Sequence, residues 1–460
     1  MLTYILHEKL VSSTRLLVYS FTIQHISTLM TISIIGAGAA GCFAAIEAAR
    51  RMPQADICVY ESLNRPLAKV AITGGGRCNL TNSFLEVRSL ETVYPRGARL
   101  MKRLFHTFDL RDTMRWFEAE GVPLTVQDDQ CVFPRSQDAQ DIVGTLLRLM
   151  KRHGVAIKTS SRAESIEPQE GGGYKISFAN GGCVSSDAVI VTTGGSPRAD
   201  GAAFLNPLQL KTVPPVPSLF SFSLEAHPLK SLMGIVVANV TARLAGTKFK
   251  TDGPLLITHW GVSGPAILKL SSHAARHLAE CSYRATLALN WLGDVNEAEA
   301  LDLLKGIKEE NPQKQLTSAF PRQLGKRLWL YLLESLGLPA EQKWASVGTK
   351  DLRRLAAGCT NHLLPIAGRN RHKEEFVTCG GVALSEINPS TLECRRHPGL
   401  FFAGEVLDVD AVTGGFNLQA AWTMGYVAAC NLLVDEEIFV QASAEPNLFG
   451  LCRAQPKITK

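Results

Sequence analysis

The chain of 460 residues contains no run of 18 uninterrupted apolar residues, which excludes a membrane-spanning helix. It contains no Cys-x-x-Cys pair. Its eleven cysteines are an odd number without metal-ligand spacing. That argues against a disulfide framework or a zinc site, and for a reducing, cytoplasmic compartment. There is no internal repeat and no low-complexity tract. A clean secretory signal is also missing: Leu16-Leu17-Val18-Tyr19 is apolar, but His7, Glu8 and Lys9 precede it and no small-residue cleavage site follows.

What is present is ordinary in bulk. An apolar fraction of 46% and a charged fraction of 20% suit a globular chain and exclude a mainly disordered or fibrous one. The length suggests two or three domains and a core that needs no staple. The character of the chain changes at Met30, where Ile32-Ser33-Ile34-Ile35 runs straight into glycines. The expectation is that Met30 is the true start and that residues 1–29 are a non-native or disordered leader.

The net charge of +6 is unevenly spread. Residues 196–375 hold 22 lysines and arginines against 15 aspartates and glutamates, a net of +7. Such an excess is either a solvated face or a surface for an acidic partner, including nucleic acid. No RNA-binding motif accompanies it.

Strand and helix patterns alternate from Met30 to about Gly195. Ile32–Ile35 reads as a buried parallel strand, Ala39–Arg51 as a helix, Ile57–Tyr60 as a strand. Asp138–His153 shows helical spacing stopped by Gly154. Pro214, Pro215 and Pro217 mark a linker, strand-like runs follow it, and residues 296–358 look mostly helical. Strand patterns return at Phe376–Ala383 and Gly399–Glu405 before a last helix at Asn417–Leu433.

Gly36-Ala37-Gly38-Ala39-Ala40-Gly41 follows a strand and opens a helix. In that context the pattern is a dinucleotide turn: Gly36 for the tight bend, Gly38 for approach of a pyrophosphate, Gly41 for helix-on-strand packing. The helix start offers N–H groups to the phosphates. Glu61, at the end of the second strand, is placed to accept from an adenosine ribose. No second such turn occurs, so this module binds one dinucleotide. A second glycine cluster, Thr73-Gly74-Gly75-Gly76-Arg77-Cys78-Asn79-Leu80-Thr81-Asn82, combines close backbone approach with a cation and amides.

With Thr258-His259-Trp260-Gly261-Val262-Ser263-Gly264-Pro265 and the C-terminal run Gly404-Glu405-Val406-Leu407-Asp408-Val409-Asp410…Gly414-Gly415-Phe416-Asn417-Leu418-Gln419-Ala420-Ala421-Trp422, these motifs resemble the BaiN-type, aminoacetone-oxidase-like bacterial flavoproteins. The resemblance implies an α/β fold: a Rossmann-like FAD-binding domain, split in sequence (30–195 and 376–435), interrupted by a β-rich, barrel-like domain (196–295 and 359–375) with a helical insertion (296–358). It implies FAD as cofactor and an oxidoreductase, with NAD(P)H as transient donor and an electron-poor C=C bond as acceptor. Relatives of that type act on small molecules or on ribosomal RNA, forming dihydrouridine. A flavin-bound redox sensor without turnover is a further alternative.

The expected cofactor contacts are Gly36, Ala37, Gly38, Ala39, Ala40, Gly41, Glu61, Lys69, Gly75, Gly76, Arg77, Asn79, Ala163, Thr193, Gly194, Gly404, Glu405, Asp408, Gly415, Asn417, Leu418 and Gln419. Glu405 and Asp408 are placed for ribityl hydroxyls, and the last helix would point its N-terminus at the flavin's pyrimidine edge, where reduced flavin carries negative charge. Double-bond reduction also needs a proton donor. Cys78 and His259 are the candidates. Ser263-Gly264-Pro265 reads equally as a plain helix start, serine as cap and proline in the first turn. No metal is expected.

Overall fold

A computed structural model of the chain describes residues 29–196, 200–370 and 377–432. The expectations for a leader before Met30, for the start of a strand at Phe376, and for the end of the last helix at Leu433 concern residues outside those described, apart from Leu29.

A five-stranded parallel sheet forms the centre of the first half. Its order is Leu400–Phe402, Ala188–Val191, Thr31–Ile35, Asp56–Tyr60 and Ala156–Lys158. The inner strands are short apolar runs because both faces are covered. Ala39–Arg51 covers one of them. Ala40–Ala49 of this helix are all buried, and small residues such as Ala40 let another helix approach. That neighbour is the last helix, Phe416–Cys430, which is apolar all round. A Cβ on Gly425 would lie 2.6 Å from the carbonyl oxygen of Ala40, so the two backbones nearly touch there. Ala139–Arg152 follows its sequence signals. The Asp138 carboxylate caps it by accepting from Gln140 N at 2.8 Å, and Gly154 turns the chain away at φ +74°.

Two linkers, Thr212–Ser218 and Val377–Val382, pair antiparallel as a ribbon that leads into and out of a second unit. Its seven strands run in the order His362–Ile366, Ala285–Asn290, Val236–Leu244, Lys250–Ile257, Gly261–Ser263, Phe222–Ser223, Gly368–Arg369. The first and last strands of that order are separated in the chain by Ala367 alone. The sheet must therefore curl until its edges meet, which makes it barrel-like. Its core joins that of three helices, Glu297–Glu310, Gly325–Ser335 and Thr349–Thr360, around buried Trp291, Trp329 and Trp344. Asn296 and Glu299 form a capping box at the first of these. A separate apolar core belongs to the parallel sheet, and takes in buried apolar residues from Val382 to Leu432.

Pro265–His273 begins where the sequence places it, but Ser263 is not its cap. Gly264 holds the N-cap position, and the Ser263 hydroxyl pairs instead with that of Ser221 at 2.6 Å.

Candidate functional site

The glycine turn is locked from behind. Gly36 has φ +109°, and a Cβ there would lie 2.6 Å from the Thr192 carbonyl oxygen. The Thr192 hydroxyl donates to the carbonyls of Ile35 at 3.1 Å and Gly36 at 2.8 Å. A Cβ on Gly41 would lie 1.9 Å from Gly36 O, so the helix can start this close to the strand only with glycine there. Gly38 differs: a Cβ there meets nothing within 4 Å. Its open side lies over the N-terminus of Ala39–Arg51, where the first-turn N–H groups have no helical acceptor.

Glu61 is held in place by its neighbours. One carboxylate oxygen accepts from Ala37 N at 2.8 Å, the other from Leu63 N at 2.9 Å and the Ser62 hydroxyl at 3.1 Å. It lines a cleft of about 690 Å³ together with Gly36, Tyr60, Arg162, Ala163, Thr193 and Phe204. Ala163 begins the strand Ala163–Pro168. Thr193 and Gly194 follow the strand Ala188–Val191, and Gly194 turns at φ +73°.

The C-terminal run joins this region from the other side. Gly404, at φ +84°, brings its Cα beside the first helix, since a Cβ there would be 3.2 Å from that of Ala40. Glu405 accepts from Thr378 N at 2.6 Å. Gly195 fits between them: a Cβ there would be 2.5 Å from both Glu405 Oε1 and Thr378 Cβ. Gly415, at φ +89°, opens the last helix. Its first turn leaves the main-chain N–H groups of Phe416, Asn417 and Leu418 without intrahelical acceptors. Glycine loop and helix start are tied together. Asn79 accepts from Gly415 N at 3.2 Å and donates to Thr81 O at 3.0 Å, and Trp422 Nε1 donates to Leu80 O at 3.0 Å.

Several expected side chains have other partners. Asn417 closes the preceding loop, accepting from Ala411 N at 2.9 Å and donating to Ala411 O at 3.0 Å. Gln419 is fully buried between the hydroxyls of Thr81 at 2.6 Å and Thr423 at 3.0 Å. Asp408 faces the second unit and pairs with Arg276 at 3.1 and 3.3 Å. Arg77 lies over the Phe133 ring, 4.5 Å from its centroid, and donates to Gly74 O at 3.1 Å. For Asn417, Gln419 and Asp408 the reason is common: a buried or half-buried polar group must be satisfied by the protein itself, whereas Arg77 is exposed. The main-chain N–H groups of Asn417 and Leu418, in the first turn, are not taken by the helix and could serve a ligand. Lys69 is exposed on its helix. Gly74, Gly75 and Gly76 all turn left-handed, at φ +59°, +70° and +84°.

The two proton-donor candidates lie on different units. Cys78 is fully buried in the glycine loop, itself at φ +59°, and burial pushes its thiol up to about 12 against an opposing hydrogen bond with Thr73. His259 is exposed in the tight turn Thr258–Gly261, edge-on to Trp260 at 4.4 Å.

Sequence reasoning passed over Thr192, Thr378 and the pair Arg96–Asp410. Arg96 grips both carboxylate oxygens of Asp410, which is 1% exposed. Burial pushes the Asp410 carboxyl up, and Arg96 beside it opposes that push. Asp410 sits in the C-terminal run, so its chemistry was visible; Arg96 stands in no motif.

Residues 30–431 match the model of the HI0933-like protein Rossmann domain. The chain belongs to the HI0933-like family. This is a family of FAD-dependent oxidoreductases. The HI0933-like chain is 30% identical to a 3-dehydro-bile acid delta(4,6)-reductase of Clostridium scindens over 413 residues, 86% of this chain and 97% of that one. It is 28% identical to a ribosomal RNA dihydrouridine synthase of Escherichia coli, over 87% of this chain and 97% of that one. Among solved structures, a 3-ketosteroid delta1-dehydrogenase of Sterolibacterium denitrificans aligns over 87% of this chain and 99% of that one, at 10% identity and a TM-score of 0.46.

The residues fit the family's cofactor. The space above Gly38, the fixed carboxylate of Glu61 and the cleft beside Ala163 and Thr193 could hold a pyrophosphate and an adenosine. Among the described residues, no cluster of three or more His, Cys, Asp or Glu is gathered to hold a metal ion, and no helix is long and apolar enough to cross a membrane.

Proposed function

We propose that this protein is an FAD-dependent oxidoreductase that takes hydride from NAD(P)H and reduces an electron-poor C=C bond. The observation that carries the reading is the meeting of two distant segments: the glycine turn at 36–41 and the loop at Gly404, which touch through Ala40. Such a meeting builds one extended site from the two ends of a split domain. FAD, when bound, supplies a two-electron carrier between a hydride donor and a double bond.

The chain's own residues would hold and orient it. Glu61 would accept from the adenosine ribose, and the helix start at Gly38–Gly41 would face the pyrophosphate. Glu405, fixed by Thr378 N, would take ribityl hydroxyls. The N–H groups of Asn417 and Leu418 would face developing negative charge at the pyrimidine edge, where a helix terminus contributes about 0.3–1 kcal/mol, more when partly buried. Cys78 keeps its proton throughout the physiological range, and His259 presents an exposed ring; either would serve as proton donor only to a substrate that reaches it. A reducing, cytoplasmic setting belongs to this reading, and the ten free thiols among the described residues support it.

A second reading takes ribosomal RNA as the substrate, as the E. coli relative's name states for that protein. Arg322, Lys326 and Arg353 are exposed on the helical insertion, which favours an acidic partner. Arg327 and Arg354 contribute less, because they donate to the Ser231 and Leu336 carbonyls.

The test is anaerobic. Purified protein should carry a flavin spectrum that NADH or NADPH bleaches, and a conjugated enone should restore it. A spectrum restored only in the presence of ribosomal RNA, with dihydrouridine appearing in it, selects the second reading. A flavin that no donor bleaches would indicate a redox sensor without turnover. Protein that binds no flavin overturns all three.

A further inference from the structure

One guanidinium connects three parts of the molecule. Arg96 pairs with Asp410 through the main chain, as an antiparallel bridge, and through the side chain, gripping both carboxylate oxygens. Its Nη2 also donates to the Ser218 hydroxyl at 3.2 Å, at the end of the interdomain ribbon. Its Nη1 donates to Ser272 O at 2.7 Å, on helix Pro265–His273 of the inserted unit. Ser218 closes the cluster by donating to Asp410 at 2.8 Å.

Two residues back in the same loop, Asp408 is held by Arg276 from the next helix of the inserted unit, Ala275–Glu280. His273 adds a contact of 3.2 Å between its Nε2 and Thr92 O. The loop after Gly404 is therefore clamped: Arg96 holds it from the parallel-sheet side and Arg276 from the inserted unit. The two clamps differ in exposure. Arg96 and Asp410 are 13% and 0% exposed at their side chains, Arg276 and Asp408 39% and 17%.

We infer that Arg96 and Arg276 are positioning residues, which through Asp410 and Asp408 set how the inserted unit sits over the 404–410 loop and so fix the geometry of the reacting face. The inference rests on the flavoenzyme reading for its chemistry, not for its mechanics. A planar guanidinium on a carboxylate fixes a distance and an orientation together, which an ammonium does not. A buried ion pair is seldom the most stable choice at its position, and holding one arrangement among several is the role left to it. Here the arrangement held is that of two cores which otherwise meet along a two-stranded ribbon and a few loops.

The experiment uses the flavin-loaded protein with Arg276→Ala, Arg276→Lys and Arg96→Lys. Amide exchange is followed at Val382, Asp408 and Val412, whose N–H groups donate to Val406, Val382 and Val93 across these contacts. The strand Thr31–Ile35 serves as internal control. Arg276→Ala should speed exchange at the three amides about tenfold, leave the control unchanged, alter the visible circular dichroism of the flavin and lower kcat more than it changes KM. Arg276→Lys should recover only part of this. Arg96→Lys, which keeps charge and loses the fork, should speed the same amides at least threefold. Should that variant not fold, Ser218→Ala, which strips one bond from the same guanidinium, takes its place. Parental exchange and an unchanged flavin signal in Arg276→Ala overturn the inference for Arg276, and parental exchange in Arg96→Lys or its substitute overturns it for Arg96. A protein that binds no flavin defeats the functional reading, while the exchange measurement still decides the clamp.

Discussion

Glu61 accepts a hydrogen bond from the main-chain N–H of Ala37 at 2.8 Å, so the end of the second strand is tied to the glycine turn after the first. The same carboxylate holds Leu63 N and the Ser62 hydroxyl on its other oxygen. Its remaining lone pairs face the cleft. On the proposed reading, replacing it would remove a ligand contact and loosen the turn that would face the pyrophosphate. Glu61→Ala is expected to weaken FAD binding by about 10- to 100-fold, the equivalent of roughly 1.5–3 kcal/mol for a charged acceptor. Titration of apoprotein with FAD, followed by flavin fluorescence, measures it. Glu61→Gln should fall between, because an amide retains one acceptor and turns its NH2 toward a donor. Equal affinity in all three proteins would remove Glu61 from the site.

Gly38 and Gly41 make a pair of opposite predictions. A methyl at Gly41 collides with Gly36 O at 1.9 Å and with the Thr192 hydroxyl at 2.5 Å, so Gly41→Ala must push the helix off the strand. The expected result is a protein that loses several kcal/mol or fails to accumulate, since overpacking alone typically costs about 1–3 kcal/mol. A methyl at Gly38 meets no protein atom, and its φ of −86° suits alanine. Gly38→Ala should fold with a near-parental Tm as apoprotein and lose FAD affinity, because the methyl would stand in the open space proposed for the phosphates. Thermal melts with and without FAD separate the two variants.

Cys78 yields a prediction about reactivity. It is fully buried, and desolvation holds its thiol protonated, with a pKa near 12. Only the thiolate attacks an alkylating reagent. In folded protein at pH 8, iodoacetamide should label exposed Cys183 and Cys281 and leave Cys78 untouched. Peptide mapping after labelling checks this, and brief denaturation should make all three label alike. Rapid labelling of Cys78 in folded protein would mean that the glycine loop opens, and would restore the thiol as a donor within reach of substrate.

The sequence carried the parallel-sheet domain far better than the site's inner wiring. Strand-turn-helix at Ile32–Arg51 is legible because every constraint is local: an apolar run, glycines at fixed offsets, then alanines. In the residues themselves the barrel was visible only as alternating strands, and its barrel-like form came from the family resemblance. Its closure depends on Ala367 joining the two edges, a nonlocal fact. Asn417 and Gln419 looked like ligand contacts because amides beside a glycine turn commonly are. In the fold their side chains satisfy Ala411 and Thr81, and nothing in the sequence records which neighbours arrive. Arg96 is the clearest case. Its partners Ser218, Ser272 and Asp410 are each more than 100 residues away in the chain, so no spacing rule could have found them.

His362 is expected to make the inserted unit less stable in acid. Its Nδ1 accepts from the indole N–H of fully buried Trp291 at 3.0 Å, which requires the ring to be unprotonated at that nitrogen. Burial pushes its pKa down to about 4, with a smaller push from the neighbouring charge of His227. In the unfolded chain the value is about 6.5. Above that pH both states carry a neutral ring, and the stability tied to it is fully present. Between pH 6.5 and 4 the unfolded chain takes up a proton that the folded protein refuses, so stability falls; below about 4 the loss is complete. The total is on the order of 3 kcal/mol. Denaturant melts of the parent protein should show this decline across that window. His362→Gln keeps an acceptor for Trp291 without a titrating group. It should be less stable than the parent at pH 7.5, because an amide does not fill the ring's space, and should lose correspondingly less stability on acidification. A variant whose decline from pH 6.5 to 4 matches the parent's would place the acid sensitivity on other groups.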